Sequence, residues 1–317
     1  IPTNFESDSG RILLYMFEFM KTLTLHVSYE CLKGGTLPAY LGSTIRGLMG
    51  HCIHEFYCHH RNVKCFLCED RGTCQYVKCF SNTGGEAGAV NPYTIYVYGQ
   101  GKEKWEIGDY CVFDITLFGS GTEHAGGYLD AVIAAEQKGW GAERIPFRLV
   151  HVTDQDSGRL IYAGGKSWIR NLIPRAVSVK ERNAAYACLV FDTPLRVVSG
   201  NKLFQKLPFD MVIQFLTRRI SLMTARYTDF NLEWDIEEMM RQAAEIRTVG
   251  ESWKEIPFFR YSMNQRDGKL ELASKMGWIL YEGDLSPFVP VLELGSRLRL
   301  GKGATIGFGH YNIYYDK

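Results

Sequence analysis

Apolar and polar residues alternate along KTLTLHVSYE (21–30), the period-2 pattern of a strand with one buried face. The period then lengthens. Leu41, Ile45, Leu48, Met49, Cys52, Ile53 and Phe56 recur at helical spacing and predict a helix from about residue 39 to 57. YTIYVY (93–98) and YCVFDITLF (110–118) return to strand-like patterns. GGYLDAVIAAEQKG (126–139) reads as a helix and IPFRLVHVTD (145–154) as a further strand. The order is β-α-β-β-α-β, the ferredoxin-like or split-βαβ unit.

The second half repeats that order. ACLVFDTPLRVV (187–198) predicts a strand or strand pair, and LPFDMVIQFLTRRISLMTARY (207–227) a long amphipathic helix. An acidic helical stretch, NLEWDIEEMMRQAAEI (231–246), is an insertion. FFRYSMNQRDGKLELASKMGWILYEG (258–283) predicts a hairpin turning at Asp267-Gly268. LSPFVPVLELGSRL (285–298) predicts a short helix, and HYNIYYDK (310–317) a last strand. The pattern implies an α+β chain of two tandem ferredoxin-like (βαββαβ, RRM-like) domains, 1–180 and 181–317, joined near 175–186.

Charge narrows the function classes. The net charge is only +1, so a nucleic-acid partner must meet a local basic patch. No apolar run is long enough to span a membrane. The opening IPTNFESDSG has neither the basic nor the apolar region of a secretory leader, so none is expected. Five of the nine cysteines crowd between Cys58 and Cys79, which suits a metal site in a reducing cytoplasm better than a disulfide framework.

The cysteine spacing is Cys58-x6-Cys65-x2-Cys68-x5-Cys74. Four thiolates can close a tetrahedral zinc site, and the Cys-x2-Cys knuckle offers two of them from one tight turn. Cys79 is a spare for Cys58 or Cys74, and His59 and His60 lie within reach. An iron–sulfur cluster uses the same ligands, and free loop thiols are the third alternative. With four protein ligands no position is left for water, so the ion would be structural. It would staple a short polar insert, 58–90, that has little else to pack.

Residues 300–311 read LGKGATIGFGHY, with Gly301, Gly303, Gly307 and Gly309 around Lys302. A nucleotide P-loop needs a helix starting at its lysine, but Gly303 follows Lys302. A dinucleotide fingerprint needs a helix after its glycines, and only eight strand-like residues follow Gly309. Two readings stay open. One is a ligand-free glycine-rich turn. The other is a backbone cradle whose amides, with Lys302, meet the phosphates of a nucleic-acid strand.

LGKGATIGFGHY resembles the C-terminal glycine-rich signature of the CRISPR precursor-RNA processing endoribonucleases, members of the RAMP superfamily of tandem ferredoxin-like proteins. LVFDTPLRV with FLTRRISLM, then RYSMNQ (260–265) and MGWILYEGDLSPFVPVLELG (276–295), resemble the rest of that family's C-terminal domain in order. LPAYLGSTIRGLMGHCI resembles its first helix, and a cysteine-rich insert after that helix recurs in one branch of the family. The resemblance covers roughly 20–317 and is strongest from 187 onward.

It implies an endoribonuclease that cleaves CRISPR precursor RNA at its repeats, as stem-loop or single strand, to give mature guide RNA. Metal-independent cleavage needs a base for the 2′-hydroxyl, an acid for the leaving oxygen and positive charge on the phosphorane. The family places a catalytic His or Tyr in or near the first helix. His51 is therefore the expected base or acid, with His54 three residues on along the same face and Tyr40 near the helix start. Each also has a plain structural reading, as a capped or packed side chain.

The expected RNA contacts are Lys302, the four loop glycines, His310, Arg218, Arg219, Arg260 and Arg299, with Tyr261 and Phe308 available for stacking. His26, within a strand, is expected to be structural. Two other functions share the fold: a non-catalytic RNA-binding subunit of a CRISPR effector complex, and a protein whose cysteines form a redox centre.

Overall fold

The computed structural model describes residues 17–81, 90–169, 171–179, 181–200, 202–261 and 269–316, the side chains of 260–261 and 269–270 aside. The first domain is built from β1 (Lys21–Cys31), α1 (Gly42–Tyr57), α2 (Gln75–Cys79), β2 (Tyr93–Val97), β3 (Tyr110–Phe118), α3 (Ala125–Ala135), β4 (Phe147–Asp154) and β5 (Leu160–Ala163). Its antiparallel sheet runs β2-β3-β1-β4-β5, the ferredoxin-like order with an added edge. Period-2 alternation decides what each face carries. Leu23, Leu25, Val27 and Tyr29 of β1 join Ile45, Met49, Cys52 and Ile53 of α1 in one apolar core. Thr24 and His26 take the other face, with Tyr96 and Tyr98 flanking Val97 on β2 and Asp114 between Phe113 and Ile115 on β3.

The second domain repeats the plan with β6 (Tyr186–Leu195), α4 (Phe209–Tyr227), α5 (Ile236–Ala244), β7 (Arg247–Tyr261), β8 (Lys269–Glu282), α6 (Val289–Leu298) and β9 (Asn312–Asp316). The sheet order is β7-β8-β6-β9, again antiparallel. Its core gathers Leu189 and Phe191 of β6, Val212, Leu216 and Ile220 of α4, and Leu292 and Leu298 of α6. Phe17, Met20 and Phe118, from the first half of the sequence, belong to this core too. The acidic insertion is α5, whose first turn is capped by the Asp235 side chain accepting from the Glu238 amide.

Three expectations change at their edges. The first helix begins at Gly42 rather than 39. The hairpin's first strand starts at Arg247, not 258. RTVGESWKEIP hides a strand because β7 is an edge, paired on one side only, where charges and Pro257 are tolerated. Of the strand or strand pair expected over 187–198, the single strand β6 is found, ending at Leu195 with a register shift between Phe191 and Leu195. The predicted turn at Asp267-Gly268 lies outside the described residues. Among the described residues no helix is long and apolar enough to cross a membrane.

Candidate RNA-binding and acid–base sites

The glycine loop is folded on itself. Gly301, Gly303, Gly307 and Gly309 all hold positive φ. At Gly309 a Cβ would lie 1.9 Å from the Leu300 carbonyl oxygen, so no larger residue fits there. Several loop amides have internal partners. Lys302 N–H donates to Arg196 O (2.8 Å), Phe308 N–H to Gly303 O (3.1 Å), Gly307 N–H to Ala304 O (3.2 Å) and Gly309 N–H to Pro194 O (2.9 Å). A phosphate cradle made of the Gly307 and Gly309 amides is therefore not what these glycines build. They build a compact wedge. Ile306 and Phe308 pack with Phe258, Tyr40 and Leu272, and the wedge seats against the start of α1, where a Cβ on Gly42 would stand 2.0 Å from Ile306 O.

The basic residues sort by burial. Arg218 and Lys302 are exposed. Arg219 instead donates to the Gly301 carbonyl, and burial lowers its guanidinium to about 10. It fastens the loop from a half-buried position on α4. Arg299 is 5% exposed and is likewise lowered to about 10 by burial. Arg260 lies in β7, with its side chain outside the description. A basic track made of all these arginines is thus corrected to its exposed members.

The expected catalytic trio is split. Tyr40 sits at the wedge, its hydroxyl donating to Met276 Sδ at 3.5 Å and its phenol raised by burial. His51 is exposed on α1 and makes no hydrogen bond among the described residues. At 1.5 Å per residue it stands roughly 13 Å along the helix from Gly42. His54 packs its ring edge against Tyr76 (4.9 Å between centroids), and burial, then neighbouring His51, lowers its imidazole below the ordinary value.

Below His54 the cysteines gather. Cys58, Cys68 and Cys74 line one cavity of about 420 Å3 with His59 and His60. The Cys65 thiol is raised by burial and then by the neighbouring Cys58, Cys74 and Cys68. Among the described residues, however, no three His, Cys, Asp or Glu side chains stand in a ligand cage. Cys79 cannot serve as a spare: it is buried in the first core, and burial pushes its thiol up to about 12.

A second polar centre lies where the two sheets meet. Asp114 accepts from Tyr98 (2.8 Å) and pairs with His26 Nδ1 (2.6 Å). Asp192 accepts from Tyr96 (2.8 Å) and Asn312 (3.2 Å) and pairs with His310 Nδ1 (2.6 Å). The Tyr96–Asp192 bond joins the two domains. Burial alone would raise the Asp192 carboxyl, but the hydrogen bonds from His310, Tyr96 and Asn312 hold it below its ordinary value. Burial, with Arg299 nearby, lowers His310 against the opposing pull of Asp192. The pair is therefore a neutral imidazole donating Nδ1–H to a carboxylate, which leaves Nε2 as an acceptor.

Sequence reasoning missed Asp114, Asp192, Tyr96 and Tyr98, and it placed His26 as structural. A signal was present. Val-Phe-Asp occurs twice, at 112–114 and 190–192, each time setting one acid into an otherwise apolar strand.

Comparison with known proteins places this geometry. Residues 189–311 match the family model of the CRISPR-associated endoribonuclease Cas6, and residues 19–174 match a model of an N-terminal domain. No curated protein matches the chain by sequence. A chain of a partial Cas6-RT-Cas1–Cas2 complex superposes with a TM-score of 0.62 at 12% identity, over 96% of this chain and 47% of that one. Thermus thermophilus Cas6 superposes at 0.55 and 12%, over 93% and 99%, and a Cas6 product complex at 0.55 and 13% over the same shares. This chain thus spans about half of the longer relative and nearly all of the single-module ones. These likenesses show the fold of two tandem ferredoxin-like domains. Through residues 189–311, the second domain matches the family of the CRISPR-associated endoribonuclease Cas6.

Proposed function

We propose that this chain cleaves CRISPR precursor RNA at its repeats and releases guide RNA by attack of a 2′-hydroxyl, without a catalytic metal. The observation that carries the reading is the match of residues 189–311 to an endoribonuclease family. His51, exposed on α1 with no side-chain hydrogen bond among the described residues, takes the proton of the attacking hydroxyl. Lys302 and Arg218 supply surface charge to the RNA backbone. His54 and Tyr40 flank the helix that carries the base. The enzyme would work in the cytoplasm and retain its product for other CRISPR proteins. Cys58, Cys65, Cys68 and Cys74 hold a structural zinc beside that helix. The shared cavity of Cys58, Cys68 and Cys74, with Cys65 near them, supports the ion.

The test is cleavage of labelled repeat RNA in excess EDTA, wild type beside His51→Ala. The expected result is cleavage by the wild type and a loss of 10²- to 10⁴-fold in the variant, with binding kept. Tight binding without cleavage at any pH between about 6 and 9 overturns the nuclease reading. Lys302→Ala should flatten the salt dependence of binding by about one counterion. Metal analysis and the visible spectrum separate zinc, iron–sulfur and free thiols. A second reading, an RNA-binding subunit that does not cut, is favoured by the setting of Tyr40, whose hydroxyl is engaged by Met276 Sδ at the wedge while His51 lies more than two helical turns along α1.

A further inference from the structure

On β8 one charge stands in an apolar row. Side chains alternate along a strand, so Lys275 shares its face with Ile279 and Tyr281 of the second core. The strand is a central one: Leu195 of β6 pairs with Lys275 on one side and Glu255 of β7 on the other. Lys275 is 8% exposed. Lysine is almost never so buried unless its charge is paired. Here, among the described residues, no ion pair or hydrogen bond holds it. Glu255 lies directly across the sheet, yet outside ion-pair distance. The ammonium stands instead over the Phe204 ring, 4.9 Å from its centroid. A ring face stabilises the charge but leaves three N–H donors without an oxygen acceptor. Keeping a charge in this setting is costly to the fold.

The donors face open space. Lys275 lines a cavity of about 530 Å3, within the range of small-molecule sites. Unlike the sealed Nε atoms of Arg46 and Arg299, its Nζ keeps open surface. Leu203, Pro257 and Ala273 give the cavity apolar wall, and Lys202 adds a second ammonium. Glu255 and Glu271 also line it and are exposed. Two carboxylates at the rim repel a polyanion such as an RNA strand. A small molecule with a single anionic group avoids that repulsion and can turn its own donors toward the acids. We propose that this cavity binds a small oxyanion, a carboxylate or a phosphate monoester. Its oxygens accept from the Lys275 ammonium, and its hydroxyl or amino groups face Glu255 and Glu271. The site shares no residue with the interdomain polar centre and does not depend on the RNA-processing reading.

The test is thermal unfolding and ligand-observed NMR of the full chain at constant ionic strength. The probes are acetate, inorganic phosphate, glycerol 3-phosphate and the standard amino acids. At least one should bind saturably and raise the midpoint of unfolding, and the carboxylates set against the phosphates tell the two sources apart. Lys275→Met keeps the stem and drops the charge. It should weaken that binding about tenfold or more, yet unfold at a higher temperature than the wild type when no ligand is present. A lysine with a purely structural role would lose stability instead. Lys202→Gln, at the rim, should weaken binding only about threefold. Arg241→Gln, on the acidic helix α5, should bind as the wild type does. The proposal is overturned if no probe binds, or if Lys275→Met binds as tightly as the wild type or melts lower. It is overturned as well if labelled repeat RNA, and no small oxyanion, responds to Lys275→Met.

Discussion

The two ends of α1 are held in opposite ways. At Gly42 the helix meets the backbone of Ile306 with no room for a methyl group, and a small apolar cluster seals the contact. At Tyr57 it runs into a segment of short turns whose residues 58–78 are all exposed or half-buried, with Cys79 and Phe80 in the core and Tyr76 packed against it. One end is fixed by close packing of main chain, while the other continues into a cysteine-bearing segment tied to the core through Tyr76, Cys79 and Phe80. The difference teaches that one helix can be locked by the fold at one end and left to local contacts at the other.

The largest break in that contrast should come from Gly42→Ala. Its new methyl collides with a carbonyl that cannot swing aside, so we expect a loss of about 3 kcal/mol, read as a lower midpoint in thermal unfolding. Removing the zinc proposed for Cys58, Cys65, Cys68 and Cys74 should act at the other end. Cys68→Ser, or a strong chelator, should speed proteolysis within 58–80 about tenfold while leaving the global midpoint within about 1 kcal/mol. Equal protection with and without chelator would show that thiols alone hold the segment. Gly47→Ala, mid-helix with open space around its Cβ, should raise stability by about 0.5–1 kcal/mol, the opposite sign to Gly42 in the same helix. The smallest effect concerns acid. His54 is lowered below its ordinary value by burial, so its contribution is complete above the unfolded value near 6.5 and is lost as pH falls through the lower folded value. Amide exchange at the C-terminal turn of α1 should therefore quicken as pH falls below the ordinary imidazole value, with the Gly42 end unmoved.

Much of the fold was legible because period-2 and helical patterns mark a buried face, and both domains bury one. Arg247–Pro257 was not, because an edge strand need not alternate cleanly. The site was harder. Arginine reads the same in sequence whether it is exposed like Arg218 or buried like Arg219 and Arg299, since only tertiary packing decides. Asp114 and Asp192 looked like interruptions in apolar strands, yet each gathers a histidine and a tyrosine once the sheets meet. The loop glycines suggested a ligand cradle, and their positive φ and internal hydrogen bonds give a different reason for them.

The contact between Gly42 and Ile306 also bears on how the protein is made. A ribosome delivers α1 early and the wedge that seats it almost a whole chain later. Until then the first domain has its helix but not the surface that covers the helix start. Completion of the second domain thus finishes the first, and a message cut short anywhere before codon 306 would leave both domains incomplete.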